Sequence, residues 1–425
     1  MKTLDLQDCE CGSISADRDI LDVEAARTVA LDLVTPLVGT ELVSLGGALN
    51  RVAAKDLHAP AAMPFFNNSA MDGYAVSTFK LSGNGPWKLL LTETVAAGTQ
   101  PSETIAELIV NQTVRIFTGA PVPPGFDAVI AQENCRLENG SLSFDFKPES
   151  GANIRHAGSE TGRGALLLAK GSRIRSHHIG LLAANGYGAI NVRSLPKVAV
   201  FSTGDELIEP GEKAKPGQIY DCNKPMLLAL FTEFGIQAVD LGALPDDRRA
   251  TQELLERCRD DFDLIVSTGS ASVGERDFLK EAFLASGGFV KNWKVAIKPG
   301  KPVMFGKLNN AVFTALPGNP FASFVGFHLF VKPQVLKLCG EMDQRVRTQA
   351  AIANFSWRRK PGRAEYFPVR VCQGRASELP KLERLGNSVS ATLFPLAFAD
   401  GLGRVGPDCN VVEPGDHLLW QPFCK

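Results

Sequence analysis

Val198-Ala199-Val200-Phe201-Ser202-Thr203-Gly204-Asp205-Glu206 is the stretch on which the fold turns. Four apolar residues run straight into a polar Gly/Asp segment. That pattern describes a strand buried on both faces, unlike the alternating strand of a half-solvated sheet. The cadence returns downstream. Leu264-Ile265-Val266 leads into Ser267-Thr268-Gly269-Ser270-Ala271-Ser272-Val273-Gly274, and the apolar run from Ala311 leads into Pro317-Gly318-Asn319-Pro320. The spacing predicts helices over 223–234, 249–259, 277–285 and 320–336, and further strands over 238–241, 294–297 and 303–305. Strand alternating with helix gives a mostly parallel sheet covered on both faces, a three-layer α/β unit.

Open α/β sheets bind ligands beyond the carboxyl ends of their strands. Four polar segments follow strands here: 202–206, 267–274, 298–301 and 317–320. Each has the composition of an ordinary loop, but all four meet along one edge if the sheet is right, and that favours a site. The 267–274 segment is rich in glycine and hydroxyls and leads into a helix near Asp277, which suits a phosphate. It is neither a Walker A loop nor GxGxxG, which disfavours an NTPase or a dinucleotide dehydrogenase. Asp205, Glu206, Asp246, Asp247, Glu275 and Asp277 supply carboxylates near the same edge. Hard oxygen ligands beside a phosphate suit Mg²⁺; each also reads as a helix N-cap or a solvated side chain. Lys298 and Lys301 flank Pro-Gly in a tight turn, two cations with few carboxylates nearby, suited to an oxyanion.

Outside this unit, Asp22 is an N-cap before a helical run from Val23. From Val52 to about Ser150 short β-branched runs alternate with turns, a small all-β unit. Within it, Asn67-Asn68-Ser69-Ala70-Met71-Asp72-Gly73-Tyr74-Ala75-Val76 and Thr118-Gly119-Ala120-Pro121-Val122-Pro123-Pro124-Gly125 read as a lid, an interface or simple turns. A helix is expected over 176–185, and the chain is β-like again beyond about Asp343. The 425 residues carry 45 Lys+Arg against 46 Asp+Glu, a net charge of -1, so the overall basic footprint of a nucleic-acid binder is missing. Nine scattered cysteines without CxxC read as reduced thiols, and the acidic N-terminal stretch lacks a secretory core, so a cytoplasmic protein is expected. No apolar run is long enough to span a membrane. The histidines lack metal-ligand spacing, and His177-His178 is expected to be structural.

These residues carry a family resemblance. NNSAMDGYAV, RIFTGAPVPPGFDAVIAQEN, GANIRHAG, VAVFSTGDEL, GQIYDCN, LPDD, SVGERDF, AIKPGKPVMFG and LPGNPFAS run in order from Asn67 to Ser323. The chain resembles the molybdopterin molybdenumtransferase (MoeA) family, which includes the gephyrin E domain. The resemblance implies an elongated protomer of four parts: a split linker domain (20–48 and 151–193), an inserted β domain (49–150), a molybdopterin-binding α/β domain (194–340) and a C-terminal β-barrel-like domain (341–425). It implies a homodimer whose clefts combine the α/β and C-terminal domains of one protomer with the β domain of the other. Contact with the molybdopterin adenylyltransferase and with cofactor-receiving enzymes is implied as well.

The implied reaction inserts molybdate into adenylylated molybdopterin and releases AMP, with Mg²⁺ held by Glu206, Asp246 and Asp277. Asp205, Glu206, Asp246 and Asp277 match the family's acidic cleft residues, and Asp72 and Thr118 match residues reaching over from the β domain. Ser267, Gly269, Ser272, Gly274, Pro317, Gly318 and Asn319 fall in the loops that would hold the pterin phosphate. Lys294, Lys298 and Lys301 match its basic residues, and Arg363 and Ser390 its molybdate-receiving residues in the last domain. Three departures stand out: Gly269-Ser270 in place of Gly-Gly, Glu160 in place of Asp, and the bulky Asn387-Ser388-Val389-Ser390-Ala391-Thr392-Leu393-Phe394-Pro395 in place of a Gly-Ser-Gly turn. The last favours a non-catalytic scaffold of the same fold as the alternative, which the retained acidic and basic residues oppose. An adenylyltransferase is opposed by the three additional domains.

Overall fold

The computed structural model of the chain describes residues 20–102, 111–269, 278–372, 379–386 and 390–423. At its centre lies a six-stranded sheet in the order Val239–Leu244, Val198–Thr203, Leu264–Gly269, Ala311–Pro317, Pro302–Leu308 and Phe289–Lys294. The first four strands run parallel, and Pro302–Leu308 is antiparallel to both its neighbours. Side chains on a strand alternate between faces, and the leading strand divides accordingly. Val198 and Val200 join Leu227, Phe231, Val266 and Phe321 on one side, while Phe201 joins Leu254, Leu255, Phe283 and Phe313 on the other. Helix Arg248–Cys258 shows why both faces close: Thr251, Leu254, Leu255 and Cys258 form its buried stripe, and Asp247 caps its first turn by accepting from the Ala250 N–H.

Two local expectations change. The helix expected over 320–336 is three pieces, Pro320–Gly326, a π turn Phe327–Val331, and Lys332–Leu338. Pro333 has no N–H to return to the preceding turn, and the ladder widens in front of it. The strand expected over 294–297 is divided. Phe289–Lys294 ends in the central sheet, and Ile297–Lys298 pairs instead with Ala364–Glu365.

The flanking boundaries also shift. Helix Val23–Asp32, expected in the split unit, buries Val23, Ala26 and Ala30 in the central core beside Leu329 and Val335. Residues 49–59, expected in the β domain, pack with the split unit: Ala53, Leu57 and Ala59 share a core with Ala48, Ile174, Leu182 and Val192. Leu57–His58 pairs with Leu166–Leu168, and Thr40–Ser44 with Ala189–Arg193. β structure already begins at Thr40–Ser44, and strands pair across the insertion, so the cores divide later in the chain than the change of texture at Val52.

The β unit is a six-stranded sheet in the order Ala128–Ala131, Gly73–Val76, Gln112–Ile116, Trp87–Val95, Ser141–Phe144 and Arg136–Glu138. Tyr74 and Val76 face one core, and Ala75 faces the other. In the C-terminal region Ala364–Cys372 pairs with both Lys381–Arg384 and Gly401–Val405, which closes the sheet into a barrel through Gln349–Ala353 and His417–Pro422. His328 joins this barrel to the central unit. Its ring packs against Phe324 and Phe423, and burial drives it down to about 3, so it is neutral at pH 7.

Phe313 lies with its ring 4.5 Å from that of Phe283 and 6.4 Å from that of Phe201. Phe313→Ala is expected to cost about 3–5 kcal/mol, measured by urea denaturation as an earlier transition of the central unit.

Candidate active site

The parallel strands deliver Thr203, Leu244, Gly269 and Pro317 to one edge, and the antiparallel strand starts there at Pro302. A cleft of about 810 Å³ opens on it. Its wall includes Ser202, Thr203, Gly204, Glu206, Asp246, Thr268, Gly269, Pro317, Gly318 and Asn319, so three of the four expected segments and the acidic Asp246 meet as anticipated.

The wall is held by close contacts. Gly269 has φ +129°, and a Cβ there would lie 2.2 Å from the Thr203 carbonyl oxygen. Only glycine lets these two strand ends approach so closely. Thr268 Oγ1 donates to the Pro317 carbonyl at 3.1 Å and lies 3.2 Å from Ser323 Oγ. Asn223, buried at the start of its helix, donates from Nδ2 to Thr268 Oγ1 at 2.9 Å and to the Gly318 carbonyl at 2.6 Å. One amide thereby fixes two of the site loops. Asn223 was not among the expected site residues. It lies within the GQIYDCN stretch, and its role depends on which strands its helix faces. Ile219, Tyr220, Asp221 and Cys222 also line the cleft. Burial raises the Cys222 thiol above its usual range, which keeps it protonated at pH 7.

Glu206 and Asp246 both line the cleft, and Asp205 Oδ1 accepts the Asp246 N–H at 3.0 Å. Asp205 thus braces the loop that presents Asp246. Asp277, Ser272, Gly274 and the Ser270 departure lie outside the described residues. Among the described residues no three His, Cys, Asp or Glu side chains gather into a metal cage. Two carboxylates beside a phosphate-type site are nonetheless the donor set Mg²⁺ uses, with substrate oxygens and water completing its shell. Ser267 is placed differently from expectation. It is 1% exposed and does not line the cleft, because the strand's alternation turns it away from Thr268.

Pro302 lines the cleft, but the expected basic residues Lys294, Lys298, Lys301 and Arg363 are not among the described residues of its wall. Lys294 is paired with Pro302 in the sheet, and the Lys301 carbonyl accepts the Val295 N–H at 2.9 Å. Carboxylates are not scarce there, contrary to expectation. Lys298 Nζ lies 2.9 Å from Oε1 of Glu365, a buried residue that local sequence could not place beside it. Arg363 Nη1 is 3.5 Å from the Ile297 carbonyl oxygen. Ser390 Oγ accepts from Asn319 Nδ2 at 3.0 Å, and Ala391 lines the cleft, so the C-terminal region reaches the site. Residues 387–389 of the altered segment lie outside the described residues.

Asp72 and Thr118 are brought together on the β sheet, apart from the cleft wall. Asp72 Oδ1 accepts both the Thr118 N–H and the Thr118 hydroxyl at 2.8 Å, and these bonds hold the carboxyl below its usual range.

A parallel sheet with a polar, glycine-lined cleft at its carboxyl edge, joined in one chain to a split unit, a β insertion and a closed barrel, defines a multidomain α/β protein with a small-molecule-sized cleft. Comparison with known proteins narrows this class. Residues 21–186 match the MoeA N-terminal region (domains I and II), 199–337 the probable molybdopterin binding domain, and 350–423 the MoeA C-terminal region (domain IV). A molybdopterin molybdenumtransferase of Haemophilus influenzae is 37% identical over 350 residues, 82% of this chain and 85% of the relative. Molybdopterin molybdenumtransferase 2 of Mycobacterium tuberculosis is 32% identical over 398 residues, 92% of this chain and 95% of the relative. The crystal structure of a molybdopterin biosynthesis MoeA protein from Pyrococcus horikoshii superposes with a TM-score of 0.80 at 27% identity, covering 95% of this chain and 100% of that one. The chain belongs to the molybdopterin molybdenumtransferase (MoeA) family.

Asn223→Ala is expected to weaken binding of adenylylated molybdopterin by roughly tenfold, since it leaves Thr268 and Gly318 without their shared donor. Calorimetric titration of the variant against the parent protein checks this.

Proposed function

We propose that this protein inserts molybdate into adenylylated molybdopterin and releases AMP, a transferase step of molybdenum cofactor biosynthesis. The observation that carries the reading is the cleft itself. Residues Thr203, Gly204, Thr268, Gly269 and Gly318 line it together with Glu206 and Asp246, and Lys294 is paired in the sheet with Pro302, a further residue of the wall. Relatives named molybdopterin molybdenumtransferase support the same chemistry.

In this reading the glycine-lined wall holds the pterin phosphate, with Asn223 fixing its shape. Lys294, Lys298 and Lys301, with Arg363 and Ser390, receive the molybdate dianion as positive and hydrogen-bonding groups. Glu206 and Asp246, with Asp277, would hold Mg²⁺, and Asp205 keeps Asp246 in place. When bound, Mg²⁺ would neutralise phosphate oxygens and ease the departure of AMP. The substrate's own dithiolene sulfurs bind molybdenum, so no protein cysteine is needed.

We further propose a homodimer in which Asp72 and Thr118 of one protomer complete the cleft of the other. None of the described cleft-lining residues comes from the β sheet. Phe65, Phe66 and Met71, in the segment leading to Asp72, are exposed, an apolar surface suited to a second copy of the chain. Cytoplasmic placement remains part of the proposal; among the described residues no helix is long and apolar enough to cross a membrane.

Purified protein given adenylylated molybdopterin, molybdate and Mg²⁺ is expected to release AMP, followed by chromatography. Tight binding of the intermediate without molybdate-dependent AMP would leave only the scaffold reading. Mixing inactive Asp72→Ala and Glu206→Ala protomers is expected to restore part of the activity, because one cleft of each mixed dimer keeps both residues. No recovery after verified subunit exchange would refute the shared cleft.

A further inference from the structure

Glu365 belongs to the C-terminal barrel and is 1% exposed. A carboxylate buried that deep needs charged or hydrogen-bonding partners. Two cations lie within ion-pair distance among the described residues. Arg359 Nε is 3.1 Å from Oε2, and Lys298 Nζ is 2.9 Å from Oε1. Arg359 is itself fixed: Nη1 donates to the carbonyls of Gly406 and Cys409 and Nη2 to that of Arg363. Oε2 is therefore committed to a static partner, and Oε1 is left to a lysine whose side chain is still 47% exposed. The backbone repeats the arrangement. Ile297 pairs with Ala364 and Lys298 with Glu365, so the basic turn of the central unit runs as an edge strand of the barrel sheet.

We propose that Glu365 is a positioning residue for the oxyanion site, holding the Lys298 ammonium where molybdate is to be received; this rests on the reading of the site given above. A free lysine must give up rotamer freedom when it meets an anion. An ammonium kept 2.9 Å from a carboxylate oxygen by charge attraction has given up much of that freedom, and its N–H groups stay available. Glu365 also offsets part of the positive charge that Lys298, Arg359 and Arg363 bring together there.

Two effects of removing the carboxylate oppose each other. Losing a negative charge draws an anion in, and losing the anchor lets Lys298 wander. The second dominates. Molybdate KM, kcat and the Kd of adenylylated molybdopterin would be measured for the parent protein, Glu365→Gln, Lys298→Met and the double variant. Glu365→Gln is expected to raise the molybdate KM about tenfold and to leave the Kd of the intermediate within about twofold. The double variant is expected to match Lys298→Met alone, because Glu365 acts through Lys298. Glu365→Asp keeps the charge with a shorter reach and is expected to recover part of the loss; should Glu365→Gln fail to fold by circular dichroism, Glu365→Asp alone and paired with Lys298→Met is judged by the same criteria. A lowered molybdate KM, or additive effects in the double variant, would overturn the inference. If the parent protein shows no turnover, the proposed function fails, and calorimetric titration of the same proteins with molybdate alone judges the positioning role by the same pattern.

Discussion

Main-chain hydrogen bonds on both sides of one short segment hold three parts of this molecule to one another. Leu21 N–H donates to the Lys294 carbonyl at 3.3 Å, and Ala296 N–H returns to the Leu21 carbonyl at 2.7 Å. On the other side Ala364 N–H donates to the Ala296 carbonyl at 3.0 Å. The segment leaves the central sheet at Lys294 and joins the barrel sheet at Ile297, so it belongs to both. Backbone amides and carbonyls are obligatory partners once buried. A segment that satisfies them from two sheets and the chain's N-terminal side fixes the relative placement of all three. Lys294 and Lys298 stand at the two ends of this segment, beside the cleft residue Pro302 and the barrel residue Glu365, so the barrel bears on a site centred on another unit.

The cleft wall obeys a different constraint. Parallel strands require crossovers over the faces of the sheet, so their loops gather at its two edges. The carboxyl edge here collects glycine where strand ends crowd, at Gly269 against Thr203, and carboxylates where loops open into the cleft, at Glu206 and Asp246. A net charge of -1, summed over 45 basic and 46 acidic residues, says nothing of how charge is distributed at the site.

Much of the α/β unit was legible because its strands are buried on both faces and read as uninterrupted apolar runs. Loops at strand ends were legible for the same reason: once the sheet is parallel, their shared edge follows from topology. What failed to show were contacts between residues far apart in the chain. Nothing near Lys298 announces Glu365, and nothing near Asn223 announces Thr268 and Gly318. Ser267 read as a cleft residue because it lies in a hydroxyl-rich run, but alternation along the strand turns it inward. The unit boundaries slipped because composition changes at Val52, whereas the cores divide according to which strands pair, and Leu57–His58 pairs with Leu166–Leu168.

The sequence by itself determined the layered α/β core, the β units on either side, the edge where the site lies and most of the acidic and glycine residues in it. Those properties are local or periodic, and a run of residues carries them without reference to the rest of the chain. Only the tertiary structure decided that the N-terminal helix joins the central core, that the barrel closes on itself, and that the lysine turn is shared between two sheets and paired to a buried glutamate. Each of these is a contact between distant segments, set by which surfaces can be buried together and which polar groups can be satisfied there.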